Sequence, residues 1–372
     1  MNIVFDIGGT KMRLAEMVGK DDILEPVIIN TPNSYIDALA EITEALGKIS
    51  KGRKVEYLVG GVAGVLSKDG KKLLVSPNLK DWINRPLQED LARLSGAKVL
   101  IKNDTDMVAL GEAVFGAGRE NKVMAYLTFS TGIGGSLVIA QNLLSYNFGF
   151  EPGFQVIDSQ NKRQLHSVAG TELKNDYGLL FRDIKDEQIR KKVMADIVAG
   201  IHNAIIFWSP DVVVLGGGMT ESFVLDDIKN DLSKFKLRFP ELPEIKFAEL
   251  DDFGGLYGSV AFLNKYIYSA KWNNPKTTNR SEWIIGSNKN KVTNFSFWLF
   301  LYVLTNHEPR IDVIRVTGNK NQNIEKVCST QETLPESYKN IAKGANIIEG
   351  SKTRRYTTVA VIKVGLTKSF IG

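Results

Sequence analysis

The chain opens on a short apolar run, Asn2 to Phe5, breaks it with Asp6 and the small residues Gly8, Gly9 and Thr10, and turns apolar again from Met12 to Ala15. That pattern predicts two strands joined by a tight glycine turn. Tyr35, Ile36, Leu39, Ile42, Leu46 and Ile49 then recur at helical spacing, which predicts one buried helix face along "YIDALAEITEALGKI". The continuous apolar run in "EYLVGGVAGVL" reads as a buried strand, "PLQEDLARLSG" as a helix closed by Gly96, and "AKVLIKND" as a strand ending in polar residues. A second series repeats the scheme: strand "KVMAYLTFS", turn "TGIGG", strand "SLVIA", a loop-rich stretch from Gln141 to Gly170, and a helix from Glu187 to about Trp208. Strand "PDVVVLGGG" and helix "GGLYGSVAFLNKYI" complete it. The repeat predicts an α/β fold of two similar lobes, residues 1–118 and 119–268, with the last helix free to return to the first lobe.

Residues 269–372 break this rhythm. "FSFWLFLYVL" is a buried strand or helix, too short for the roughly 20 residues a membrane helix requires. "RIDVIRVTG" and "YTTVAVIKVGL" read as strands and "LPESYKNIAKGANII" as a helix, so the tail is expected to be a small α+β extension of unknown role. Charge also changes here. From Lys271 onward there are 16 Lys and Arg against 7 Asp and Glu, so the +5 of the whole chain is a slightly acidic body with a basic tail. Those charges are scattered apart from "KTRR" at Lys352 to Arg355, which favours a solvated basic surface over a nucleic-acid contact.

Composition narrows the class without naming a chemistry. With 43% hydrophobic and 24% charged residues, the 372-residue chain can bury two or three substantial cores. Its one cysteine, Cys328, allows neither an internal disulfide nor a cysteine zinc cluster. Met1 leads almost directly into the first strand with no signal-peptide pattern, so the expectation is a cytoplasmic protein with no membrane contact.

The chemistry is expected at the glycine turns. "DIGGTK" and "STGIGGS" each follow a strand; glycines let phosphate oxygens approach backbone N–H groups, and Thr10, Ser130 and Thr131 add hydroxyl donors. A glycine hairpin alone is more often only a hairpin, and neither turn fits the P-loop or the dinucleotide fingerprint. Asn103 and Asp104 stand where a strand gives way to the Ala-rich "MVALGEAVFGAG". An Asp there could take a proton from an attacking hydroxyl during phosphoryl transfer, or it could simply cap the helix. The glycines of "PDVVVLGGG" would give a side-chain-free surface for an adenine or ribose, or merely a strand-to-loop turn.

Together, "DIGGTK", "NDTDMVALGE", "STGIGGS" and "PDVVVLGGG", with "VSPNLKDW" and "FEPGF", resemble the ROK family of sugar kinases, over Met1 to about Tyr268. The resemblance implies two actin-like, ribonuclease H-like lobes around an ATP and sugar cleft. It implies Asp104 as general base and Asp6 near the hydration shell of Mg2+. Gly8, Gly9, Thr10, Lys11, Thr131 and Gly132 would face the ATP phosphates, with Gly216 and Gly217 against adenosine. Asn78, Asn103 and Glu151 would bind a small-molecule sugar, glucose or an N-acetylated hexosamine, and members of the family often form homodimers.

Departures from the family pattern bear on the sugar. Phe154 stands where E-x-G-H would place a histidine, and the cysteine-rich segment that usually follows is replaced by "DSQNKRQLHSVAG", so no zinc is expected. A second sugar-binding glutamate has no clear counterpart; His166 is the candidate replacement, against the more ordinary reading of a surface or packing histidine. The alternative to a kinase is a sugar-responsive regulator of the same fold, which the missing histidine and basic tail favour. The retained Asp104 and glycine turns oppose it, as does the absence before the first strand of room for the helix-turn-helix of the family's repressors. An actin- or chaperone-type ATPase fits the fold but not "ND…GE" and "EPGF".

Overall fold

The computed structural model describes residues 1–144, 147–235, 239–272, 295–304, 309–318, 323–330 and 358–366. The chain divides into two compact units, Met1–Thr278 and Asn279–Gly372.

The first unit holds two sheets of the same design. In the first, β1 (Asn2–Ile7) pairs antiparallel with β2 (Lys11–Val18), whose other edge takes β3 (Asp22–Ile23) and β4 (Val27–Asn30). On its other side β1 runs parallel to β5 (Tyr57–Val62); a small hairpin, β6 (Val65–Leu66) and β7 (Leu73–Val75), follows, and β8 (Lys98–Asn103) lies parallel beyond β5. The second sheet repeats this with β9 (Val123–Phe129) antiparallel to β10 (Ile133–Ile139), which carries β11 (Asn142–Leu143) at its edge. After the short hairpin of β12 (Val156–Asp158) and β13 (Arg163–Gln164), β14 (Val212–Gly216) lies parallel to β9 and β15 (Glu244–Phe247) parallel to β14. The repeat read from the hydrophobic pattern is thus a repeat of topology.

Period-two alternation sends each central strand into two cores. From β1, Ile3, Phe5 and Ile7 face α1 (Tyr35–Ser50) and α2 (Leu87–Ser95), while Val4 faces α7 (Gly254–Trp272). From β9, Ala125, Leu127 and Phe129 face α5 (Glu187–Trp208), between the flanking α4 (Gly170–Tyr177) and α6 (Leu225–Ser233); Met124 and Tyr126 face α3 (Asp104–Val114). Helices α3 and α7 therefore lie between the sheets. They cross in backbone contact: a Cβ on Gly258 would overlap the carbonyl of Met107, and one on Gly111 the carbonyl of Gly254. All five turns of functional interest leave the C-terminal ends of strands β1, β5, β8, β9 and β14, the edge where α/β sheets present their loops to ligands.

Helix α5 has the bounds expected, with Asp186 capping it through the N–H groups of Gln188 and Ile189, and Gly96 closes α2 in the left-handed conformation at φ 64°. One expectation for α1 fails: Ile36 is 64% exposed, and the buried stripe is Tyr35, Ala38, Leu39, Ile42, Ala45 and Leu46. Tyr35 fixes the rotation of that helix by standing edge-on to buried Trp82 and donating its hydroxyl to Asp90.

In the second unit "FSFWLFLYVL" is strand β16 (Phe295–Leu304) of an antiparallel sheet with β17 (Pro309–Gly318), β18 (Asn323–Thr330) and β19 (Thr358–Leu366), in the order β18-β17-β16-β19. The strand at Asn323–Thr330 is additional to those expected, and the helix expected over 334–348 and the "KTRR" cluster lie outside the described residues. Among the described residues no helix is long and apolar enough to cross a membrane.

Candidate active site

At the end of β1 the chain reverses through Gly8, Gly9 and Thr10. The Gly8 N–H donates to the Lys11 carbonyl at 3.0 Å, and the Thr31 hydroxyl donates to the Gly8 carbonyl at 2.8 Å, so the turn is braced from β4's end. Gly9 has no room for a side chain: a Cβ there would lie 2.5 Å from Cβ of Asn78. The structure thus sets the expected sugar contact Asn78 directly against the expected phosphate turn. Thr10 and Lys11 are exposed at its rim.

Asp6, one residue before the end of β1, faces Arg13 across the ladder. Arg13 is 9% exposed and bridges two carboxylates, Asp6 at 3.7 Å and Asp252 at 2.6 Å. Burial pushes the Asp6 carboxyl up to about 7; the negative charge of Asp104 adds to the rise, Arg13 opposes it and Asp252 reinforces it. Gly255 at the start of α7 packs on this carboxylate, since a Cβ there would come within 2.7 Å of Cγ.

Asp104 begins α3, but it does not cap it. Asn103 holds the extended backbone of an N-cap, its Oδ1 accepts from the Asp106 N–H, and its Nδ2 donates to the Gly64 carbonyl at 3.0 Å. Of the expected sugar contact Asn103, one amide hydrogen remains outside these bonds. The Asp104 carboxylate accepts from the N–H of Thr105 at 2.7 Å. Burial raises its pKa, against the lowering effect of the Thr105 bonds. Gly61 on β5 makes the space, because a Cβ there would lie 2.8 Å from Cα of Asp104.

The second turn, Ser130, Thr131 and Gly132, is held from the start of α4, where the N–H groups of Gly170 and Thr171 donate to the carbonyls of Ser130 and Thr131. His166 approaches it, with Cε1 3.8 Å from where a Cβ of Gly132 would be. Its ring stacks on Phe154 at 5.0 Å and 11°, and its Nδ1 is buried without a hydrogen-bond partner. The His166 imidazole therefore packs face to face on Phe154, the residue at the position where the family pattern would place a histidine. Glu151 lies within electrostatic reach of Asp104; partial burial raises its pKa and the charge of Asp104 adds to it.

After β14, Gly216 and Gly217 are glycines for packing reasons. A Cβ on Gly216 would overlap the ring of Tyr126, and Gly217, at φ 89°, would place one 2.5 Å from the Phe129 carbonyl. Gly218 faces open space. Three features were not read from the sequence: Arg13, the buried Asp106 whose carboxylate accepts from Ser136 at 2.6 Å, and Glu112, fully buried and accepting from the N–H groups of Ala117, Glu249 and Leu250. The signal for the two acids was their type, since a carboxylate in an apolar helix is rarely buried without a partner. Among the described residues no group of three or more His, Cys, Asp or Glu is placed to hold a metal ion directly.

Residues 2–154 match the ROK family. A glucokinase of Thermotoga maritima is 28% identical over 258 residues, covering 58% of this chain and 81% of its own length. An N-acetyl-D-glucosamine kinase of Histophilus somni is 27% identical over 301 residues, covering 70% of this chain and 98% of its own. Among solved structures, a ROK family glucokinase from Streptomyces griseus in complex with glucose and AMPPNP superimposes with a TM-score of 0.59 at 24% identity, over 71% of this chain and 99% of that one. The fold of the first unit is therefore that of the actin-like sugar kinases, while more than a quarter of the chain has no counterpart in that structure.

Proposed function

We propose that this chain, whose residues 2–154 are a ROK family domain, is an ATP-dependent sugar kinase acting on a hexose or an N-acetylhexosamine. The observation that carries the reading is the pair of carboxylates, Asp6 near the end of β1 and Asp104 just after β8, on strands of one sheet separated by β5, with the charge of Asp104 adding to the cost of ionising Asp6. Placing a second acid near one already made costly to ionise by burial favours a functional over a structural role for the pair. The kinase names of the relatives support the same conclusion.

On this reading the Asp104 carboxylate takes the proton of the attacking sugar hydroxyl. That oxygen bonds to the γ-phosphorus of ATP, the bond to the β,γ-bridging oxygen breaks, and ADP leaves with its electrons. Burial makes Asp104 a stronger base than an exposed aspartate. Asp6 would hold a hydrated Mg2+, and the donor chemistry fits: a hard, acid-rich site with Arg13 fixing the Asp6 carboxylate from behind. When bound, that ion would neutralise phosphate charge. Gly8, Gly9, Thr10 and Lys11 would face the phosphates from one side and Thr131 and Gly132 from the other. Gly216 and Gly217 would shape the adenosine surface; Asn78, Asn103, Glu151 and His166 would bind the sugar.

The test is ADP release from Mg-ATP across a panel of hexoses and N-acetylhexosamines, with Asp104→Asn as control. Turnover with one sugar, lost in the variant, supports the kinase and names its substrate. Nucleotide binding without turnover on any sugar refutes it in favour of a sugar-responsive regulator.

A further inference from the structure

A buried polar contact ties the two halves of this site together. Asp106 is two residues beyond Asp104, in the first turn of α3, and follows directly from β8 of the first sheet. Ser136 lies in the middle of β10 in the second sheet, four residues after Gly132. Asp106 is 3% exposed and Ser136 wholly buried, and the serine hydroxyl donates to Asp106 Oδ1 at 2.6 Å. Next to it, Thr105 crosses to the same strand, its Oγ1 lying 3.2 Å from where a Cβ on Gly134 would be. This is an unusual place for a carboxylate. Burial pushes its acid up to about 6, with the Ser136 bond and Lys102 opposing the rise and Asp104 and Glu151 adding to it. A neutral, apolar pair would fill the same space at lower cost.

We propose that Asp106 and Ser136 form a positioning link that couples the second phosphate turn to the N-terminus of α3, so that nucleotide binding and the placing of Asp104 are set together. The proposal rests on the kinase reading of Asp104. The physical reason is rigidity. Asp106 N–H is held by the Asn103 cap and its side chain by Ser136, so the first turn of α3 is fixed at both ends, and Asp104 lies between the two anchors. A displacement of β10 by a phosphate at residues 130–132 is then transmitted to Asp104 through one short, buried bond. Catalysis is sensitive to displacements of this size, since a misplacement of about 1 Å can cost on the order of 100-fold in rate.

The experiment compares Ser136→Ala, Asp106→Ala, the double variant and Asp106→Asn, which keeps an oxygen acceptor for Ser136. Expected for both alanine variants is a kcat lower by roughly 10- to 100-fold with KM for sugar and ATP changed less than about threefold, the double variant no worse than the poorer single. Asp106→Asn should recover kcat to within a few-fold. Losses that multiply in the double variant, a loss carried by KM, or an asparagine variant as poor as alanine would overturn the link. Hydrogen exchange supplies a readout independent of turnover. Mg-AMPPNP should slow exchange over residues 104–114 in the wild type and in Asp106→Asn, and not in Ser136→Ala. Equal slowing in all variants, or none in the wild type, overturns the link whether or not any sugar is phosphorylated. Absent sugar turnover together with the expected exchange pattern sinks the kinase reading alone.

Discussion

Replacing Asp6 by Asn should make the protein more stable and inactive, and the size of the gain should depend on pH. Burial and the neighbouring Asp104 raise the Asp6 carboxyl from 3.8 to about 7. Below the unfolded value both states hold the proton and the acid has no net effect. As pH rises above it, the unfolded chain releases its proton while the native site keeps its own, so stability falls until the folded value is passed. With roughly three pH units at about 1.4 kcal/mol each, the loss levels off near 4 kcal/mol. Asn resembles the neutral acid and escapes the loss, while Arg13 keeps its 2.6 Å pair with Asp252. At roughly 2–4 °C per kcal/mol for a unit of this size, Asp6→Asn should raise Tm at pH 8 by up to about 8–16 °C. At pH 4 it should change Tm little. The assay is thermal unfolding by circular dichroism in EDTA at both pH values, with ADP release measured on the same preparations. A variant no more stable than wild type at pH 8, or equally stabilised at both pH values, would refute the argument that Asp6 is held ionised at a cost.

Three further variants probe the walls of the site. Gly61→Ala puts a methyl group 2.8 Å from Cα of Asp104 and should cost about 1–3 kcal/mol in urea unfolding, with a larger proportional loss of kcat than of sugar affinity. Glu112→Gln turns two of the acceptor sites serving Ala117, Glu249 and Leu250 into donors facing donors; chemical denaturation should show a loss of about 2–3 kcal/mol. Gly217→Ala is strained by its φ of 89° and meets the Phe129 carbonyl at 2.5 Å, so it should cost about 1–3 kcal/mol and weaken nucleotide binding measured by calorimetry.

What could be read from the sequence was whatever local chemistry decides. Glu187 to Trp208 was legible as a helix because Asp186 is a strong cap and the apolar spacing continues for the whole length. The two glycine turns were legible because glycines and small hydroxyl residues cluster directly after a buried strand; Gly9 is required by its close approach to Asn78 rather than by a positive φ. Asn103 and Asp104 were found as a pair, but which of them caps was not: both residue types are favoured at N-caps, and only the extended backbone at Asn103, φ −65° and ψ 144°, makes the choice. Ile36 was misplaced because residues one apart share no helix face, and the tertiary contacts of Tyr35 chose the rotation. Asp106 and Ser136 lie thirty positions apart in the chain and meet only because α3 crosses to the second sheet, so no local pattern announces them.

Helix α3 shows how these levels combine. Within one helix it carries Asp104, Asp106 and Glu112, and their solvation is graded. Glu112 accepts from three backbone N–H groups of the chain around α3's end and the entry to α7, which fixes where α3 and α7 cross between the two sheets. Asp106 has one serine hydroxyl from the second sheet, and Asp104 the N–H and hydroxyl of its own neighbour Thr105. A buried carboxylate is tolerated in proportion to the donors that replace water, and Glu112, with three, is the best supplied of the three acids. On the proposed reading Asp104, at the N-terminus, is the acid that a substrate hydroxyl would meet, while the three backbone bonds of Glu112 and the Ser136 bond of Asp106 hold the helix behind it.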